Sequence, residues 1–320
     1  MFSTINKVVS QTHQKLSEAR NVALIKKNIF MYMLLAPALI AVALFCYAPM
    51  AGIAIAFKDY NVIKGFGASP WVGLENFVHI FSYPNFLTAI RNTLVYSSFL
   101  VFVYFPFPIL LAILFNELRN IHFKKIAQTV TYLPHFLSWI SVVGFCYSLF
   151  ALNGPVNDFM ANLFGAGYER KNIFLNADNF LAVLFFSHTW KSIGWSSILY
   201  LAAIAGIDQG LYEAAALDGC NRFQQVWHVT LPGIWVTCVL VLILAVGNLV
   251  NTSFEQVYGF QNVYTQEKTE VINTLVYRQG IQSAQYSLAT AFGLIQGLVS
   301  LTLVTLANAV SKKISNIGIW

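Results

Sequence analysis

Six stretches of this chain are apolar over the roughly 20 residues that a helix needs to cross the hydrocarbon core of a bilayer. They cover 29–57, 93–115, 126–151, 180–205, 232–251 and 287–310. No other feature limits the fold as strongly, because a soluble domain has nowhere to bury six such helices. Charge makes the same point: 10% of residues are Asp, Glu, Lys or Arg, against about 25% in a water-soluble domain. The expected fold is an all-α integral membrane protein with six transmembrane helices. The first stretch is long enough to tilt, and Pro37 and Pro49 can kink it. It is too long for the apolar part of a secretory signal, and bulky Leu44 and Phe45 precede Cys46 where a lipoprotein site needs small residues.

The basic residues set an expected orientation. Six spans put both termini on one side. That side carries 11 Lys and Arg: Lys7, Lys15, Arg20, Lys26, Lys27, Arg119, Lys124, Lys125, Arg222, Lys312 and Lys313. The opposite loops carry seven, together with eight of the 13 carboxylates. Positive-inside bias then places both termini in the cytoplasm of a bacterial cell, so the net charge of +6 needs no nucleic-acid partner. Cys46, Cys146, Cys220 and Cys238 show no paired spacing and read as small apolar fillers. Residues 1–28 form an arm whose Ile5, Val8, Val9 and Leu16 share one helical face opposite its bases, which reads as an amphipathic helix on the membrane surface. A membrane domain over 29–311 and a short tail over 312–320 complete the chain.

The most informative connection runs over 207–232. Asp208 can cap a helix over 209–218 that contains Ala214, Ala215 and Ala216, and Gly219 can end it in the left-handed conformation. Asn221 can cap a second helix, and Pro232 suits a helix's first turn. Two short helices with a turn make a rigid unit with small side chains, fit to receive a push from a protein packed against it. An ordinary interfacial connector is equally compatible with these local signals.

The same loop resembles the EAA motif of binding-protein-dependent ABC permeases: Glu-Ala-Ala, three residues, Gly, nine residues, Ile, any residue, Leu-Pro. The chain shows Glu213, Ala214, Ala215, Gly219, Val229, Leu231 and Pro232 at those spacings, with Val229 replacing Ile. Shorter matches point to carbohydrate-uptake members and their polysaccharide or complex-oligosaccharide branch: Gly73-Leu-Glu-Asn-Phe77, Pro84-Asn-Phe86, Asn92-Thr-Leu94, Tyr132-Leu-Pro-His-Phe136, Trp190-Lys191 and Ile198-Leu-Tyr-Leu-Ala202. The resemblance implies the six-helix permease core of an ATP-driven importer. Its coupling helix would contain Glu213, Ala214, Ala215, Asp218 and Gly219 and would sit in a groove of an ATPase subunit. It implies a second, different permease, two copies of the ATPase, and an extracellular binding protein that delivers an oligosaccharide or polysaccharide fragment. The chain has no GxxxxGK[ST] loop; ATP and Mg would be bound by the ATPase, and no catalytic residue, metal or cofactor is assigned to this chain. A non-sugar solute is the alternative cargo. An ion-coupled secondary transporter is a further alternative, although no Asp or Glu falls clearly inside the six spans.

Candidates for contact with a sugar are residues whose rings pack on C–H faces or whose polar groups meet hydroxyls: Trp139, Trp190, Trp195, Asn248, Asn251 and Thr252. Asn248 and Asn251, three apart, are expected on one helical face of the fifth span, lining the passage or bonding between helices. The tryptophans also suit packing or interfacial anchoring. Lys191, an ionisable group within the fourth span, either faces a polar cavity or snorkels or pairs with a backbone carbonyl.

Overall fold

The computed structural model describes residues 27–83 and 85–320; the surface helix expected over the N-terminal arm lies outside them. The described residues are helical with one isolated β-bridge, Lys58 to Trp71. Two compact units divide the chain, residues 1–54 and 55–320. The helices that matter below are α1 (Ile29–Phe57), α2 (Glu75–Phe81), α3 (Phe86–Glu117), α4 (Ile121–Tyr132), α5 (Trp139–Phe150), α6 (Pro155–Phe164), α7 (Phe180–Ala205), α8 (Gln209–Leu217), α9 (Arg222–Gly233), α10 (Trp235–Gly247), α11 (Phe254–Phe260), α12 (Ile272–Tyr277) and α13 (Tyr286–Ser315).

By length and apolarity α1, α3, the Trp139–Phe164 segment and α13 are long enough to span a membrane, and α9 with α10 makes a fifth span bent by 60°. Helix α7 occupies the expected fourth stretch over 26 residues, about 39 Å at 1.5 Å per residue, but its Ser187, His188 and Lys191 make it more polar. None of residues 29–42 is buried, as suits a helix whose solvent is lipid. The expected third span, 126–151, is corrected: it is broken. Helix α4 ends at Tyr132, residues 133–136 tighten into a 3-10 turn around Pro134, and α5 starts again with Ser138 capping the Ser141 amide. A proline cannot donate to the ladder and collides with the carbonyl four residues back.

Three other prolines are accommodated differently. A wide π turn precedes each: Ala48 donates to Ala43 O before Pro49, Phe105 to Leu100 O before Pro106, and Leu231 to Val226 O before Pro232. Widening the turn by one residue removes the carbonyl from the ring's path while the neighbouring amide stays paired.

Helix α3 threads three successive cores. Phe86 and Ala89 pack with Ala56, Ile80, Leu275, Ala291 and Phe292; Tyr96 packs with Val143, Leu184, Val257 and Phe260; Ala112 and Ile113 pack with Tyr200, Ile204, Ile234 and Cys238. Lipid offers no hydrophobic drive between helices, so close approach and internal hydrogen bonds hold them. Gln256, fully buried, donates to Leu184 O (2.7 Å) and Ser187 Oγ (2.9 Å) and accepts from the Tyr96 hydroxyl (2.6 Å). One amide thereby fastens α3, α7 and α11. Antiparallel packing of α10 and α13 follows from Gly247 abutting Val304 and from Gln296 bonding Val250 O, so Tyr286 lies at the end of the bundle away from Trp235.

The break after α4 is fastened to α7 at two points. Lys191, 7% exposed, donates its ammonium to His135 O at 2.6 Å, and Gly194 brings α7 against the Thr131 carbonyl and the Tyr132 ring. Ala at position 194 gains about 0.5–1 kcal/mol of helix propensity but drives a methyl into backbone, an overpacking cost of about 1–3 kcal/mol. Gly194→Ala is therefore expected to lower the thermal midpoint of the purified protein. Lys191→Met, which leaves the His135 carbonyl unpaired at a cost of about 1–3 kcal/mol, is expected to lower it as well. An unchanged midpoint in both variants contradicts this packing.

Candidate functional site

The loop over 207–232 folds largely as its local signals direct. The Asp208 carboxylate accepts from the Gly210 amide at 3.0 Å and starts α8. That helix ends at Leu217, one residue before the expected Asp218, which serves as its C-cap. Gly219, at φ +80°, turns the chain: its N–H donates to Ala216 O and the Cys220 N–H to Ala215 O. This pair of bonds satisfies carbonyls that a helix end otherwise leaves open, and it requires the left-handed residue that glycine supplies. Asn221 and Gln224 then bond each other's backbone N–H reciprocally to start α9.

The two helices are braced to each other and to the bundle. The Tyr212 hydroxyl meets Thr230 Oγ1 at 2.9 Å, and Thr230 is buried. Gly233 lies so close to Ile207 that any Cβ there would overlap it. Arg222 pairs with Glu117 at the end of α3 at 2.8 Å; both groups are partly exposed, so the pair contributes orientation more than stability. Leu231 packs against the third core, and the chain then bends at Ile234 into α10. No residue of α8 is buried. Glu213, Ala214, Asp218 and Gly219 are exposed, Ala215 is half-buried, and Leu211, Leu217 and Phe223 project outward beside them. A rigid unit thus offers an uncovered face of small, apolar and acidic side chains.

The candidates within the spans do not form one site. Trp195, Asn248 and Asn251 line a common cleft of about 430 Å³ between α3, α7 and α10. The other four lie apart from it. Trp190 stacks on Phe145 in a separate apolar cleft of about 480 Å³. Lys191 binds the His135 carbonyl, and its ammonium sits 5.4 Å from the Trp139 ring. Thr252 is buried, and its carbonyl accepts from Asn273 at 2.6 Å. The expectation that Asn248 and Asn251 share a helical face is corrected: α10 ends at Gly247, Asn248 caps it by donating to Leu244 O, and Asn251 lies in the following loop, where it accepts from Asn273. Both amides still reach the cleft because the chain turns beside it.

Sequence reasoning missed several groups on that cleft. Tyr104, Ser196 and Tyr200 join it, as does His188, whose ring lies edge-on to Tyr104 with 4.8 Å between centroids. Tyr104 donates to Ser196 Oγ at 3.0 Å, and His135 stacks flat on Trp195 at 4.5 Å. The signal was present in the chain: 188, 195, 196, 199 and 200 fall on one face of a 3.6-residue helix. The cleft therefore combines aromatic faces with hydroxyls and amides, and no carboxylate or ammonium lines it.

Comparison with known proteins agrees with the loop and the fold. Residues 22–316 match the family described as binding-protein-dependent transport system inner membrane component. The chain is 41% identical, over 91% of its length and 90% of the relative's, to the polygalacturonan/rhamnogalacturonan transport system permease protein YteP of Bacillus subtilis. It is 40% identical to Protein LplB of the same organism, with 93% of each chain covered. Among solved structures, it resembles a chain of a bacterial ABC transporter involved in import of the acidic polysaccharide alginate, with a TM-score of 0.84, 36% identity, and coverage of 92% of this chain and 99% of that one. The chain belongs to the family of inner membrane components of binding-protein-dependent transport systems.

Proposed function

We propose that this chain is one of two permeases of an ATP-driven importer for an oligosaccharide or polysaccharide fragment, and that its 207–232 loop is where an ATPase drives it. The observation that carries the reading is the loop itself: a helix with no buried residue, capped at both ends and braced by Tyr212 to Thr230, within a chain of this family. In this reading Glu213, Ala214, Ala215, Asp218 and Gly219 seat in a groove of the ATPase, and Leu231 and Pro232 carry the motion into α10. ATP and Mg belong to the ATPase, and an extracellular binding protein supplies the cargo. Both termini are cytoplasmic, supported by the 11 basic residues on the side of the loop.

A sugar cargo is supported by the relatives, one named for polygalacturonan and rhamnogalacturonan and another for arabinooligosaccharides. It also fits the cleft of Trp195, Asn248 and Asn251, where rings meet C–H faces and amides meet hydroxyls. This cleft is one wall of the passage, and the second permease supplies the other. Trp139, Trp190, Lys191 and Thr252 hold the helices around it through the contacts described above.

Two experiments separate the parts of this reading. Glu213→Lys and Gly219→Asp are expected to release the ATPase on purification, or to leave hydrolysis running without uptake, while the chain still inserts. Wild-type assembly and coupled uptake in both variants contradict the loop's role. Asn248→Leu and Asn251→Leu are expected to change the rate or sugar preference of uptake in vesicles with assembly intact. Loss of expression alone makes these amides structural.

A further inference from the structure

At the opposite end of the bundle from the coupling loop, a third cleft of about 450 Å³ opens between the end of α1, helix α2 and the start of α13. Its useful groups are Asp59, Tyr60, His79, Tyr83, Gln285 and Tyr286. The three elements are fastened there. The Asn76 amide donates to Ala56 O and Lys58 O at 2.9 Å each, Asp59 N–H donates to Pro70 O at 3.0 Å, and Tyr60 N–H donates to Ser287 Oγ at 2.8 Å. The cleft is thus preformed, its walls held together by these bonds.

Its charge is unbalanced. Lys58 precedes Asp59 but does not neutralise it: the lysine is 3% exposed, donates to Phe66 O at 2.6 Å, and lies 4.3 and 4.8 Å from the Phe66 and Trp71 rings. The Asp59 carboxylate has no ion pair or hydrogen bond among the described residues. Glu75 stands on the rim, 3.6 Å from His79. Tyr60 and Tyr286 meet edge to face, 6.2 Å apart at 82°. Tyrosine π-clouds and an acceptor-only carboxylate both attract a cation.

We propose that this cleft receives a Lys or Arg side chain from a surface loop of the extracellular binding protein, with Asp59 as its ion-pair partner and the tyrosines as its walls. The cleft's position outside the cell rests on the assignment of the 207–232 loop to the ATPase side. Interface hot spots are enriched in Tyr and Arg and lie in desolvated pockets near the centre of the contact. Docking here presses on the joint between Tyr60 and Ser287, at the start of α13.

The test uses the complete transporter in lipid nanodiscs with its own binding protein, measuring affinity and the protein's stimulation of ATP hydrolysis at low and high salt. Asp59→Lys is expected to weaken binding about tenfold or more, because a like charge replaces the pair, and to reduce its salt dependence while basal hydrolysis stays at the wild-type rate. Asp59→Asn, nearly isosteric, is expected to show a smaller loss of the same kind and guards against misfolding of the charge reversal. Wild-type affinity and salt response in both variants overturn the proposal. So does weakened binding of free trigalacturonate or arabinotriose with binding-protein affinity unchanged, which makes the cleft a sugar site. Glu213→Lys measured alongside reads the coupling loop separately, since it acts on ATPase assembly or on coupling of hydrolysis to uptake and not on binding-protein affinity.

Discussion

A backbone carbonyl or amide left unpaired in hydrocarbon costs several kcal/mol, and the irregular parts of this chain are organised around that cost. Each helix break lies where another part of the protein satisfies the freed group. At the break after α4, Lys191 supplies the donor for His135 O. At the end of α10, Asn273 and Gln296 serve Thr252 O and Val250 O. In three helices a π turn keeps the ladder paired ahead of a proline. The breaks are therefore fixed points and not loose hinges.

This constraint links the loop to the cleft. In the proposed reading, a push on α8 would reach α9 through Tyr212 and Thr230, and α9 would pass it through the bend at Ile234 into α10. Helix α10 ends at Gly247, where Asn248 and Asn251 turn into the cleft beside Trp195. Because Ile234 packs with Tyr200 and Ile204 of α7, the same motion would act on the helix that carries Trp195 and His188.

Much of this was legible in the chain. The apolar stretches located most of the helices, and α7 occupies the expected 180–205. Asp208, Gly219 and Asn221 perform the capping and turning that their chemistry implies, because those signals are local and the loop's exposure leaves little to override them. Less local features were harder to read. The break at Pro134 is masked by the apolarity on both sides of it, because lipid exposure makes both equally hydrophobic. The spacing of Asn248 and Asn251 suits a helix face, but Gly247 ends α10 before them. The Gln256 network joins residues 96, 187 and 256, and such long-range pairing leaves no periodic trace. Lys191 donates to the His135 carbonyl, one of the arrangements that its place within a span allows.

The claim on which the rest depends is that the ATPase seats on α8. Photo-crosslinking tests it most directly: p-benzoylphenylalanine placed at Leu217, 90% exposed beside Gly219, or at Ile63, 95% exposed beyond the far end of α1, in the assembled transporter under ultraviolet light. A coupling loop gives a covalent adduct with the ATPase from position 217 and none from position 63. No adduct from position 217, or an ATPase adduct from position 63, contradicts the account.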